Sequence, residues 1–452
     1  MTAGAVTAAP RPRPLERAPA KAAPAERLVV PSAVTLTMLL ALAFMSILPG
    51  DDALSSGFSP SRLWEFALTA AAAALGVVFR IRGNFRTLPP VALMGPFIAI
   101  VFAIWALFTV LWSPLIAIGV GRGLQFVMLV FAAYSVVSLP EQAAIRSGPG
   151  TVPTSVAVGL LLTVALLILA DLPIHGTPFP FEGVSSDNPF VTSLRPRLFL
   201  GVNHPLETAS FLGMTMIFVH ASSLRPSVRL PALAGLAAML YLTDGRTATA
   251  ATALGLFIMV YMGLRPSPMK VFMALLGVFA ALGILLLLLV FGNPQTLMSA
   301  AIGEDLFTLN GRVALWVYSV EQWTNHTLIG VGYFNTRTVL LAAFPFAGHS
   351  HNSLIELLLG TGIPGFMLAL LFLFVCVHAI VVTRNRLLAA LFTIMVMDGA
   401  LNPVLFIPCV SQMLLLVALV HAHTEHHRRH RRDPPVVAMP RRMPVRPVHR
   451  LG

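Results

Sequence analysis

Apolar residues run in blocks of about twenty along most of the chain, separated by short stretches rich in Pro, Gly, Arg and Ser. Wound as an α-helix at about 1.5 Å per residue, such a block matches the roughly 30 Å hydrocarbon layer of a bilayer. The pattern predicts an all-α polytopic membrane protein of about twelve spans. They fall near residues 32–49, 63–79, 91–112, 115–137, 153–171, 205–222, 229–243, 246–262, 269–291, 363–382, 386–401 and 405–421. Pro153, Pro205 and Pro364 stand at or near block starts, where the missing N–H would be unpaired in any case. Residues 1–28 and 423–452 lack such blocks and are expected to be disordered tails around a membrane domain at 29–422. Two segments between blocks are long, 172–204 and 292–352. Connections of that length carry function or helices of their own.

Composition agrees with the pattern. Of 452 residues, 57% are hydrophobic and 11% charged, whereas a soluble domain carries about 25% charged residues. The net charge of +12 would suit nucleic acid, but its distribution suits membrane topology. With the N-terminus in the cytoplasm, all of the 30 Lys and Arg but Arg62, Arg122, Arg195, Arg197, Arg246, Arg312 and Arg337 fall in cytoplasmic tails and loops. That is the positive-inside bias. Both termini are therefore expected to be cytoplasmic, with the long loops outside and no nucleic acid as partner. The run His426–Arg432 reads as a metal tract or as a basic tail beside anionic lipid headgroups, the second being favoured. Cys376 and Cys409 lie in or beside apolar blocks, and no disulfide is expected.

The seven displaced arginines direct attention to the outer loops. Arg312 and Trp316 share one face of a helical turn. Trp316 and Trp323 also fit a helix resting on the bilayer surface. Gly330 and Gly332 allow close backbone approach. The run His349-Ser350-His351-Asn352 precedes Ser353 and Glu356, whose spacing is that of a capping box. A helix is expected to start at Asn352 or Ser353 and to stop at Gly360 or Gly362. Its N-terminus, with unpaired N–H groups, suits an anion. His351 is a base whose ordinary pKa lies near neutrality; a metal pair with His349 and a loop histidine without a role are the competing readings. Arg246, in the short Asp244–Thr247 connection, is a functional charge or a surface arginine paired with Asp244. Arg197, His204 and Arg122 are weaker candidates, equally suited to structural pairs or caps. There is no Asp-x-Asp pair of the kind that holds a metal and a nucleotide diphosphate, and no Walker-type glycine-lysine loop.

Gly311-Arg312…Trp316…Gly330-Val331-Gly332…His349-Ser350-His351-Asn352…Gly362-Ile363-Pro364-Gly365 resembles the signature region of the O-antigen ligase and polysaccharide polymerase family. His351, Asn352, Gly362 and Gly365 match its His-Asn…Gly…Gly spacing, and Arg246 matches the arginine of its Ser-Arg-Thr turn, although Gly245 stands where serine is usual. The detailed likeness covers residues 195–370, including the loop 292–352 between the ninth and tenth spans.

The resemblance implies a GT-C-like, metal-independent, inverting glycosyltransferase of the bacterial cytoplasmic membrane, with its active site on the periplasmic face and no cofactor. The donor would be a glycan on undecaprenyl pyrophosphate. The acceptor would be lipid A-core for a ligase or a second lipid-linked repeat unit for a polymerase of O-antigen or exopolysaccharide. His351 would be the base, and Arg246 and Arg312 would hold the pyrophosphate. Arg197, Arg122, His204, Asn352, Trp316 and His349 would contact substrate. A transporter or flippase of lipid-linked glycan is the alternative, using the same arginines without a base; a structural scaffold is a third reading.

Overall fold

The computed structural model describes residues 24–45, 60–82, 88–138, 151–182, 196–201, 205–266, 269, 312–344 and 347–432. The described chain is built of helices: α1 (Pro24–Phe44), α2 (Pro60–Arg82), α3 (Met94–Thr109), α4 (Ile116–Ser138), α5 (Thr151–His175), α6 (Pro205–Ala221), α7 (Pro226–Leu242), α8 (Arg246–Gly263), α9 (Arg312–Thr324), α10 (Thr336–Ala343), α11 (Ser353–Thr383), α12 (Arg386–Gly399) and α13 (Val410–Arg432). One antiparallel pair joins β1 (Phe181–Glu182) to β2 (Arg197–Leu198), with Arg197 opposite Glu182.

Among the described residues, five helical stretches are long and apolar enough to cross a membrane: Pro60–Ile81, Pro90–Trp112, Ile116–Ser138, Val152–His175 and Ser353–Thr383. Helices also stand at the other expected blocks, except that residues 270–291 of the ninth lie outside the described residues. The outer faces of the long helices are apolar. Phe97, Ile104, Leu111, Leu169, Phe374 and Val381 are each more than 60% exposed, a surface suited to lipid and costly in water.

The core is aromatic at its centre. Phe102 stacks on Phe406 with ring centroids 4.3 Å apart, and Phe126 meets both edge-on. Around it α11 packs on α3, α13 on α4, and α12 on α8.

Three boundaries differ from expectation. α1 already includes residues 24–28 of the expected N-terminal tail. α13 runs through 423–432 of the expected C-terminal tail, where Glu425 accepts from Arg429 one turn on and from the side-chain amide of Asn385, the residue before α12. Such i, i+4 pairs support a helix that composition alone would not. α13 also begins at Val410, because Pro403 and Pro408 keep the chain before it out of the helix.

α11 has the start and the break expected of it. Asn352 is its N-cap, and the side-chain oxygen accepts from the Leu354 and Ile355 N–H groups at 3.0 and 3.1 Å. Glu356 does not close a capping box on Ser353; its carboxylate is engaged elsewhere, as described below. Gly362 interrupts the helix at φ 66° and ψ −167°. A Cβ there would lie 2.2 Å from the Leu328 carbonyl oxygen, so only glycine fits. The break frees carbonyls on which the 327–332 loop is laid. Val331 N donates to Leu359 O at 2.8 Å and Gly332 N to Gly360 O at 3.0 Å, while Trp105 donates to Thr361 O at 2.8 Å. The close approach foreseen at Gly330 is here: a Cβ on it would lie 2.6 Å from the Gly360 backbone.

Candidate active site

A cavity of about 530 Å³ opens among α2, α4, α6, α10, α12 and the turn before α11. Its polar lining includes Glu65, Arg122, Glu207, Ser210, Arg337, His349, His351, Glu356, Asp398 and Asn402. Both signs of charge therefore line the cavity.

The His349–Asn352 turn forms one wall. The two imidazoles lie edge to face with centroids 4.1 Å apart. His351 has φ 54°, in the left-handed region, which a residue with a Cβ occupies only when its surroundings impose it. The constraints converge on Ser350, which is fully buried. Its N–H donates to Glu356 Oε2 at 2.7 Å, its carbonyl accepts from Trp316 Nε1 of α9 at 2.9 Å, and its hydroxyl donates to Asn352 O at 3.0 Å. Asn352 Nδ2 donates to Ala400 O at 3.0 Å, beyond the end of α12.

The cations differ in setting. Arg122 is ion-paired with Glu65 of α2, donates to Gln125 Oε1 at 2.9 Å and lies over the Phe334 ring. Arg337 of α10 is half-buried, and its Nε lies 3.6 Å from where a Cβ of Gly348 would be, so the guanidinium rests against the start of the histidine turn. Burial and the neighbouring Arg62 and Arg122 push the Arg337 pKa below its ordinary value, with Glu356 opposing. Burial likewise lowers that of Arg312, against the field of Asp398. Both stay protonated at neutral pH. Asp398 is buried and accepts from Ser210 Oγ at 2.6 Å and Asn402 Nδ2 at 2.7 Å.

Of the residues singled out from sequence, His349, His351 and Arg122 line this cavity. Trp316 and Asn352 hold its histidine turn, and Arg312 is coupled to its Asp398. Arg246 opens α8 with 70% of its side chain exposed and Asp244 3.8 Å away, the surface pair that competed with a functional charge in the sequence reading. Arg246 lies outside the cavity lining; its neighbour Gly245 packs on α6, where an added Cβ would lie 2.5 Å from that of Ala209. This contact leaves no room for the serine usual in the family's turn. Arg197 lies in β2, opposite Glu182 and outside the cavity lining. His204 lies outside the described residues. Sequence reading did not select Arg337, Glu356, Glu65 or Asp398 for the site. Arg337 had a signal as one of the seven displaced arginines, Glu356 in its spacing from Ser353, and Asp398 as a carboxylate within an apolar block. Among the described residues, no three of His, Cys, Asp and Glu gather into a metal site, and neither cysteine is in a disulfide.

A helical multi-pass membrane protein with a charged, histidine-walled cavity is the class that this fold and site define. Residues 231–370 match the family described as O-Antigen ligase, which supports assignment to that family. The match runs from α7 into α11 and takes in Arg246, Arg312, Trp316, Arg337, His349, His351 and Glu356. No curated protein matches the chain.

Proposed function

We propose that the protein transfers a glycan from undecaprenyl pyrophosphate to an acceptor hydroxyl at the periplasmic face of the bacterial cytoplasmic membrane, in the manner of an O-antigen ligase. One observation carries this reading: the His349–Asn352 turn and Arg337 share one cavity wall, so an imidazole and a guanidinium line the same space. His351 takes the proton of the acceptor hydroxyl. That oxygen attacks the anomeric carbon of the donor, and the bond from this carbon to the pyrophosphate oxygen breaks with inversion. The pyrophosphate leaves with the electron pair, still attached to its lipid. Its negative charge is met by Arg337 and Arg122, by Arg312 on the Asp398 side and by Arg246. Guanidinium groups suit this task because they stay charged and bind oxygens in pairs.

The protein would work as a GT-C-like enzyme of about twelve spans, without a metal, since the lipid pyrophosphate is already a good leaving group and stabilising its charge is the main task. Lipid A-core is the proposed acceptor. A second lipid-linked repeat unit would make the same site a polymerase.

The test is turnover by purified protein in proteoliposomes supplied with undecaprenyl-pyrophosphate-linked glycan and defined acceptors. Product with lipid A-core supports the ligase reading, and chain extension without it supports a polymerase. Movement of the donor across the bilayer with no new glycosidic bond would overturn glycan transfer in favour of a flippase.

A further inference from the structure

Glu356 has no part in the chemistry above, yet both of its carboxylate oxygens are engaged. One oxygen accepts the Ser350 N–H at 2.7 Å, between the two histidines. The other accepts from the hydroxyl of Thr336, the first residue of α10. The next residue is Arg337, whose guanidinium lies against Gly348. The carboxylate thus bridges the turn that carries His351 and the helix that carries Arg337, while itself belonging to α11.

We infer that Glu356 is a positioning residue that fixes the histidine turn and Arg337 in register, so that the proton acceptor and the anion-binding group keep one spacing. Two features argue for this. His351 holds a left-handed backbone conformation, which persists only if its neighbours over-determine it. The Ser350 N–H is one of the constraints that do so, and Glu356 is its acceptor. Second, neither α10 nor the turn is long enough to fix its own orientation. α10 spans only Thr336–Ala343, and its first side chain is tied to this carboxylate.

The inference rests on the glycan-transfer reading, and the two fail differently. A glutamine at 356 can accept from Ser350 through its oxygen and donate to Thr336 through its nitrogen, keeping the bridge and losing the charge. An alanine loses both. In the proteoliposome assay, Glu356→Ala is expected to lower kcat on the order of 10²-fold, the cost of misplacing a reacting group by about an ångström, with KM little changed. Glu356→Gln should stay within about tenfold of wild type. Thr336→Val, which severs one arm only, should fall between them. Activity-independent evidence comes from imidazole NMR of histidine-labelled full-length protein, assigned with His349→Gln and His351→Gln. The resonances of the edge-to-face pair should move in Glu356→Ala and stay in Glu356→Gln. Should the alanine variant not fold, Glu356→Gln and Thr336→Val decide alone. Glu356→Gln as inactive as a His351 variant would mean that the charge itself is needed and would overturn the positioning role. So would unchanged imidazole signals and turnover in Thr336→Val. Absent turnover in wild type, with the NMR pattern as expected, sinks glycan transfer and leaves the positioning role standing.

Discussion

Trp316 donates its indole N–H to the carbonyl of Ser350, 34 residues away, at 2.9 Å. The contact joins α9, which begins with Arg312, to the turn that presents both histidines, and it turns a tryptophan that sequence reading offers to substrate or to the bilayer surface into a brace. Trp316→Phe keeps the ring and removes the donor. A net hydrogen bond is worth about 1 kcal/mol, so kcat is expected to fall about fivefold to tenfold with KM unchanged. A larger rise in KM than fall in kcat, in the proteoliposome assay, would instead mean that the indole binds substrate.

The two histidines are separable. His351→Ala removes the proposed base and is expected to lower kcat by about 10²–10⁴-fold, the usual contribution of a positioned base. His349→Ala removes only its ring partner and should cost much less. Equal losses in steady-state turnover would make the pair, and not His351, the functional unit.

Arg337 and Arg246 test where the pyrophosphate sits. Arg337→Ala is expected to cost on the order of 10²–10³ in turnover, as for loss of one stabiliser of a developing charge. Arg246 is mostly exposed and already faces Asp244, so Arg246→Ala should act chiefly on KM for the lipid-linked donor. Normal turnover in Arg337→Ala would sink its role.

Stability should follow the backbone at α11. Gly362→Ala places a Cβ against the Leu328 carbonyl in a conformation nearly confined to glycine; strain alone costs about 1–3 kcal/mol, and the clash adds to it. Gly235→Ala in α7, where an added Cβ meets nothing within 4 Å, should be neutral or stabilise by up to about 1 kcal/mol. Thermal unfolding in detergent distinguishes them, and equal Tm values would count against the kink.

Ser210→Ala should be destabilising without entering the chemistry. It strips one donor from buried Asp398, and an under-satisfied buried acceptor costs about 1–3 kcal/mol. A Tm equal to wild type would mean that another donor replaces the hydroxyl.

What was legible in the chain was local. Long apolar runs foretold helices because a bilayer requires backbone groups to pair within their own segment. Asn352 and Gly362 announced the start and the break of α11 through capping and φ preferences that act over a few residues. What stayed hidden depends on helices meeting. Glu65 reaches Arg122 from 57 positions away, and Ser210 reaches Asp398 from 188. Periodicity has nothing to say about such pairs. Arg337 stood out only as one of seven displaced arginines until Gly348 came to lie beside it.

The kink at Gly362 divides α11 unequally, and the division has a metric meaning. The helix counts 31 residues, about 46 Å at 1.5 Å each. A hydrocarbon core of about 30 Å leaves roughly 16 Å over, close to the length of the segment from Ser353 to the glycine. On the glycan-transfer reading, that short segment would act as a stilt, setting the height of the histidines above the lipid tails. The proposed donor, its phosphates tethered to a prenyl chain, would arrive at a fixed height too. Lengthening the stilt by one turn would leave every side chain of the turn chemically intact and out of reach of its substrate.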